Sequence, residues 1–161
     1  MHTLIHRRHW LTALAASIAL PVWATPKTPI QGDLWKNPQC GCCKDWITHM
    51  EHNGFRFTVH DSGNTGARAR LGIPMRLGSC HTALVGGYVI EGHVPAADVQ
   101  RLLAQKPKAL GLTVPGMPIG SPGMDGPAYN GRKDAYDVLL ITRSAQRGEV
   151  ATQVFAHYPK G

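Results

Sequence analysis

Three of the four cysteines in this chain fall within four residues, Cys40-Gly41-Cys42-Cys43, and the fourth is Cys80, next to His81. Cys40 and Cys43 have the C-x-x-C spacing of a redox pair, for which two sulfurs are enough. Here a third thiol lies between them. Four thiols with a neighbouring imidazole therefore favour a binding site for a soft metal ion.

The first 24 residues are predicted to be a cleaved signal peptide. Arg7 and Arg8 precede an apolar run over 11–20, and small residues precede a cleavage site after Ala24. This order is typical of exported proteins, and the apolar run is too short for a bilayer anchor. The arginine pair also approximates a twin-arginine signal. Export of the folded chain and export of the unfolded chain both stay open.

Residues 25–161 have the size of one small domain, and their charge excludes one class of function. The net charge of the chain is +7, but its basic residues are scattered along the sequence. Scattered charge is typical of a solvated surface, so nucleic-acid binding is disfavoured. Four cysteines in an exported protein usually indicate two structural disulfides. The crowding of Cys40, Cys42 and Cys43 argues against bridges of that kind.

Residues 31–105 alternate between helical and strand patterns. Apolar residues at helical spacing predict a helix over 43–53, and strict alternation predicts a strand over 55–60. The other predicted elements are strands over 34–36, 82–85 and 88–90 and helices over 65–71 and 95–105. The order β-α-β-α-β-β-α is that of the thioredoxin-like α/β fold. The C-x-x-C also lies where that fold has it, at the start of the first helix.

Residues 108–161 are predicted to be an extension of the same domain, consisting of a loop and a hairpin. Residues 108–131 are rich in glycine and proline around Met117 and Met124, which argues against a regular helix or an inner strand. Two strands of a C-terminal hairpin are predicted over 137–142 and 150–157. This piece is too small to form its own core.

The start of a helix stabilises thiolates, because its N–H groups and dipole lower a cysteine pKa from about 8.5 to roughly 3.5–7.5. Cys40 is predicted to be exposed and the most reactive thiol, and Cys43, on the apolar face, to be more buried. Cys42 is rotated by about 100° from Cys43 and is predicted to point elsewhere. In a thioredoxin-like fold the loop carrying Cys80 faces the helix, which would bring a fourth sulfur to the others.

Four converging sulfurs suit Cu(I), with Zn(II) and an iron–sulfur cluster as competitors. The C-G-C-C spacing differs from the paired motifs of zinc ribbons, and iron–sulfur clusters are rare in exported proteins. Copper is therefore the predicted metal, and bridging thiolates would allow more than one ion. His81 and, with less support, His93 are further candidate ligands. Met117 and Met124 fit both a thioether ligand and ordinary packing.

With these residues in view, the chain resembles the CopG-like periplasmic copper-resistance family, long catalogued as a domain of unknown function. The matching stretches are 37–44, 79–83, 86–95, 114–124 and 136–140. The resemblance implies an exported thioredoxin-like domain that binds copper through its four cysteines. It supports the two histidines and two methionines less firmly. The family is associated with bacterial copper tolerance, and a copper-redox role has been proposed for it.

The sequence thus predicts a periplasmic copper-binding protein of copper homeostasis, with Cu(I) on Cys40, Cys42, Cys43 and Cys80. Its expected partners are copper ions, other periplasmic copper-handling proteins or an electron donor, and no stable membrane anchor is predicted. Whether it is a copper-dependent oxidoreductase or a passive carrier stays open. The alternative is a thiol–disulfide oxidoreductase with Cys40 as nucleophile and Cys43 as resolving thiol.

Overall fold

The computed structural model describes residues 28–144 and 149–161, so the predicted signal peptide lies outside the described residues. The chain is a mixed α/β protein. Its elements are β1 (Ile30–Lys36), α1 (Gly41–His52), β2 (Phe55–His60), α2 (Thr65–Arg70), β3 (His81–Val85), β4 (Tyr88–Glu91), α3 (Ala96–Gln105), β5 (Gly111–Thr113), β6 (Tyr136–Arg143) and β7 (Val150–Tyr158). Short 3-10 helices span Met75–Leu77 and Pro127–Tyr129. Within the described ranges, none of the helices has the length and apolar character that crossing a bilayer requires.

The strands form a seven-stranded sheet in the order β2-β1-β3-β4-β5-β6-β7. β1 is parallel to β2 and antiparallel to β3, and β3 is antiparallel to β4. In the β1–β3 register Lys36 lies opposite His81. The end of β1, which leads to Cys40, therefore lies beside the start of β3, which follows Cys80. This pairing brings the two cysteine-bearing segments together.

The apolar face that the sequence predicts for α1 packs onto the sheet. Trp46 and Met50 are completely buried and share a core cluster with Leu34 of β1 and Leu102 of α3. A smaller cluster contains Ile73, Leu77, Val89 and Ile141. At about 25 cal/mol per Å² of apolar surface, burying such side chains is the main stabilising contribution to the fold. It also fixes the position of the start of α1.

The predicted order of the first seven elements matches the structure, with shifted ends. α1 begins at Gly41 rather than Cys43, because Cys40, with φ −71° and ψ 101°, is the extended residue that precedes the helix. The two predicted C-terminal strands are confirmed as β6 and β7, which extend the same sheet. Tyr136 and Tyr158 lie opposite each other there, with ring centroids 4.8 Å apart.

The prediction that residues 108–131 contain no inner strand is wrong, because β5 lies between β4 and β6. β5 is three residues long and begins at Gly111. A Cβ at this glycine would collide with the backbone of Val89 on β4. The glycine that suggested a break in the sequence is thus needed for close approach of two strands.

Candidate metal centre

The turn between β1 and α1 positions the first three cysteines. The Cys40 N–H donates to the Asn37 carbonyl oxygen at 3.0 Å, which closes the turn around Pro38. The helix then begins at Gly41, so Cys42 and Cys43 lie in its first turn. N–H groups of this turn have no partner within the helix, and they favour negative charge on nearby sulfurs.

The four sulfurs converge at this helix terminus. Cys42 Sγ lies 3.6 Å from Cys40 Sγ and 3.8 Å from Cys80 Sγ, and Cys43 Sγ lies 3.5 Å from Cys80 Sγ. All four sulfurs lie within 4.8 Å of one another. Cys40 and Cys43 form a disulfide, whereas Cys42 and Cys80 are free thiols. The predicted convergence of Cys80 with the other three cysteines is present in the structure.

Two predictions about individual cysteines are wrong. Cys40 is half-buried and bonded to Cys43 rather than an exposed thiol. The Cα atoms of this pair are 5.4 Å apart, within the usual range for a disulfide, so crowding did not prevent a bridge. Cys42 points into the cluster and not away from it. Cys80 approaches the end of the helix, where side chains 100° apart can reach the same sulfur.

Cys80 also belongs to a second set of potential ligands, with His81 and His93. Its Sγ lies 3.0 Å from His93 Nε2 and 3.4 Å from His81 Nδ1. His93 Nδ1 lies 2.8 Å from the carbonyl oxygen of Pro122, which can only accept a hydrogen bond. Nδ1 of His93 therefore carries a proton, and the neutral ring presents an unprotonated Nε2 to the sulfur.

One buried nitrogen in this set has no partner. His81 is completely buried, and among the described residues its Nε2 is the buried side-chain polar atom that lacks a hydrogen bond. Its ring packs 4.5 Å from the Trp46 ring and 5.1 Å from the His93 ring, measured between centroids. An unsatisfied buried polar atom costs about 1–3 kcal/mol. The His81 nitrogen that lies near the Cys80 sulfur is Nδ1, on the other side of the ring.

Burial sets the protonation of the site in the metal-free protein. It lowers the pKa of His81 well below 6.5, with a smaller contribution from His93, and it lowers the pKa of His93 as well. Both rings are therefore neutral at neutral pH, the form that binds metals. Burial, followed by the nearby Cys42, raises the pKa of Cys80 to about 12. A metal ion would have to displace the proton of this thiol.

The two candidate methionines differ in their surroundings. Met124 is 8% exposed, and its Sδ accepts a hydrogen bond from the Tyr129 hydroxyl at 3.3 Å, an arrangement that suits packing. Met117 is 51% exposed. Between them, Gly123 packs directly against the backbone of Cys42 and Trp46.

Sequence analysis alone does not reveal the Pro122 carbonyl that orients His93. A backbone acceptor carries no signature in residue type. The available signal is the pair of Pro-Gly dipeptides, Pro115-Gly116 and Pro122-Gly123, which predict turns in this loop.

The donor set is soft and mixed, with four sulfurs and two neutral imidazoles. Thiolate and imidazole together suit Cu(I) and Zn(II), and neither is a preferred ligand of Mg²⁺ or Ca²⁺. The residues present therefore fit the predicted class of metal.

Known proteins resemble the chain at this site and over most of its length. The family model described as "Protein of unknown function, DUF411" matches residues 77–124, which include Cys80, His81 and His93. No curated protein matches the chain.

Two solved structures are similar to the chain, titled "Copper resistance protein copG- Form 1" and "Copper resistance protein copG- Form 2". Each is 46% identical, with a TM-score of 0.71, and covers 81% of this chain. The chain covers 98% of the first and 99% of the second. Identity at this level over most of this chain and nearly the whole of each solved chain shows common descent. The chain therefore belongs to the CopG copper-resistance family.

Proposed function

We propose that this protein binds Cu(I) for copper resistance or homeostasis, on the thiolates of Cys40, Cys42, Cys43 and Cys80. The observation that carries the proposal is the convergence of four sulfurs within 4.8 Å beside two buried imidazoles. Thiolates are the ligands that Cu(I) prefers. His81 and His93 would complete the donor set on the far side of Cys80, so that more than one ion could bind.

The Cys40–Cys43 disulfide limits this function to the reduced protein. Opening the bridge takes two electrons and two protons and gives two thiols, which lose their protons when a metal binds. In the oxidised protein the remaining donors of the two sets are Cys42, Cys80 and the two histidines. Copper loading would therefore depend on a thiol reductant or on an electron donor protein, and a copper-linked redox activity would use the same groups.

We further propose that the fold is thioredoxin-like and that the mature protein is periplasmic. Parallel β1 and β2 joined by α1, followed by the antiparallel β3–β4 pair and α3, support the fold assignment. The export proposal rests on the sequence of residues 1–24, which would be removed. Residues 25–161 would then act as one domain, with 108–161 as its loop and hairpin extension.

An anaerobic titration of the reduced mature protein with Cu(I), against a competing chelator, tests the proposal. Wild type should bind more than one ion per chain, and Cys80→Ser should weaken binding by at least about 100-fold, because Cys80 contributes to both ligand sets. His93→Gln should lower the stoichiometry. His157→Gln, which changes an exposed histidine bonded to Asp137, is the matched control and should bind as wild type. Loss of binding only on changing Cys40 or Cys43 would contradict the four-thiolate site.

The second candidate function is thiol–disulfide exchange, which the Cys40–Cys43 disulfide at the start of α1 favours. In the reduced protein the Cys40 thiolate would attack a substrate disulfide and release one substrate thiol. Cys43 would then attack the mixed disulfide, release the second thiol and restore the bridge. Cys80→Ser should spare this activity in an insulin-reduction assay. Reductase activity without copper binding would favour this candidate over the first.

A further inference from the structure

A buried ion pair lies directly behind Cys80. Arg68 of α2 donates from Nε to Glu91 Oε1 of β4 at 2.8 Å, and the side chains are 7% and 0% exposed. Glu91 Oε1 also accepts the Ser79 N–H at 2.7 Å, and Oε2 accepts the Thr82 hydroxyl at 2.6 Å. Burial raises the pKa of Glu91, but every contact around its oxygens is a donor. This is the environment of an ionised carboxylate.

The same pair holds both backbone groups of Ser79, the residue before Cys80. Glu91 accepts from its N–H, while Arg68 Nη2 donates to its carbonyl oxygen. Asn64 Nδ2 donates to that oxygen as well, at 3.2 Å, and to the Thr82 hydroxyl at 3.3 Å. Groups from α2, from the residue preceding it and from β4 therefore hold the two peptide units that flank the Cα of Ser79.

The residue after Cys80 is also fixed. The carbonyl oxygen of His81 accepts the Gly92 N–H at 3.0 Å, and the β3–β4 ladder continues from there. Cys80 thus lies between two immobilised neighbours. Its Cα is therefore held in a position from which Sγ contacts Cys43, Cys42 and His93.

Stability alone does not account for this arrangement. A buried ion pair often stabilises a fold no better than apolar residues of the same volume. Losing hydrogen bonds that orient a ligand from behind a metal site typically lowers metal affinity by about 10- to 100-fold. The pair binds the backbone of the residue before Cys80, whose sulfur belongs to two ligand sets. This location matches a ligand-positioning role.

We propose that Arg68 and Glu91 are positioning residues that hold Cys80 Sγ in the cluster before any metal binds. The expected effect on Cu(I) affinity rests on the proposed copper-binding function. The positioning of Cys80 itself is a property of the metal-free protein. Neither residue would touch the metal. Their effect would reach it through the Ser79–Cys80 backbone.

The test compares wild type, Glu91→Gln, Arg68→Lys and the double variant Arg68→Met/Glu91→Gln. Removing one partner leaves an unpaired buried charge, which destabilises the fold; the double variant removes both charges and should fold. Cu(I) affinity should fall by about 10- to 100-fold in Glu91→Gln and in the double variant, the range for lost ligand-orienting contacts. Arg68→Lys keeps the positive charge, so its Cu(I) affinity should lie between those of wild type and the double variant.

Asp98→Asn is the matched control for loss of a buried carboxylate. Asp98 is 5% exposed and is bonded to Arg101 and Tyr158 rather than to the segment around Cys80. At a similar drop in melting temperature, Asp98→Asn should leave the Cu(I) affinity within about threefold of wild type. Wild-type affinity in the folded double variant, or an equal loss in Asp98→Asn, would overturn the proposal.

A second readout does not involve copper. In the reduced, metal-free protein, alkylation of Cys80 by iodoacetamide, located by mass spectrometry, should be severalfold faster in the double variant than in wild type or Asp98→Asn. Equal rates would overturn the positioning role even if copper binds. Faster alkylation together with no copper binding by wild type would support the positioning role and contradict the proposed function instead.

Discussion

At the residue scale, Cys80 determines how the site works. Its sulfur contacts Cys42, Cys43 and His93 directly. The sulfur of Cys40 contacts Cys42 and is bonded to Cys43 instead. Burial keeps its thiol protonated in the metal-free protein, since the pKa is raised to about 12. A metal ion would therefore compete with a proton at the sulfur that belongs to both candidate ligand sets.

We expect the Cu(I) affinity of the reduced protein to rise with pH between pH 6 and 8. Each proton that the metal displaces adds about a tenfold gain per pH unit, because the thiol stays protonated below its raised pKa. A chelator competition at several pH values measures this slope. In Cys80→Ser the slope of log affinity against pH should correspond to one fewer displaced proton. An unchanged slope would show that Cys80 releases no proton when copper binds.

The grouping of the four cysteines could be predicted from residue type and spacing, but the directions of their side chains could not. Rotation about the helix axis alone predicts that Cys42 points away from Cys43, but it does not include the approach of Cys80 to the end of the helix. The position of Cys80 at the helix end follows from the pairing of Lys36 with His81, a contact between strands distant in sequence. The burial of the His81 ring has the same origin, since it depends on the assembled sheet.

At the element scale, the loop that follows β5 closes over the start of α1. Gly123, with φ +84°, lies so close to the Cys42 carbonyl and the Trp46 N–H that a Cβ would overlap both. The preceding residue, Pro122, accepts the hydrogen bond from His93. The loop therefore controls the first turn of the helix and one imidazole together. A glycine-rich composition predicted a loop, but not its contact with α1.

Comparing Gly123→Ala with Gly116→Ala separates the cost of losing the contact between the loop and α1 from the cost of the backbone conformation alone. Gly116 has a similar φ of +72° but open space around it, so its substitution should cost only the backbone penalty of about 1–2 kcal/mol in unfolding free energy. Gly123→Ala should cost about 1–3 kcal/mol more, because the loop must move off the helix. Denaturant unfolding of the metal-free protein measures both. Equal costs would mean that the loop is not held against α1.

At the scale of the whole molecule, one sheet supports both the cysteine cluster and the C-terminal hairpin. The order of elements up to α3 could be predicted, because hydrophobic periodicity is local. β5 could not, because three residues give no period and Gly111 is required only by its neighbour Val89. The domain boundaries and the signal peptide remain predictions from the sequence.

The oxidation state of the molecule should decide how much copper it takes up. Thiol titration of the denatured chain should give two free thiols for the oxidised protein and four after reduction, as the Cys40–Cys43 disulfide requires. Copper bound per chain should rise on reduction, because two more thiolates become available. Mass spectrometry and a Cu(I) titration of both forms measure this. Equal copper stoichiometry would exclude Cys40 and Cys43 as ligands.

The position of Cys80 in both ligand sets also has a genetic consequence. A substitution at Cys42 leaves the set of Cys80, His81 and His93 complete, and a substitution at His81 leaves the four cysteines complete. A substitution at Cys80 damages both sets. Alleles of this residue should therefore be epistatic to alleles of the other five, and a strain that carries Cys80→Ser should lose little more copper tolerance when a second ligand is changed.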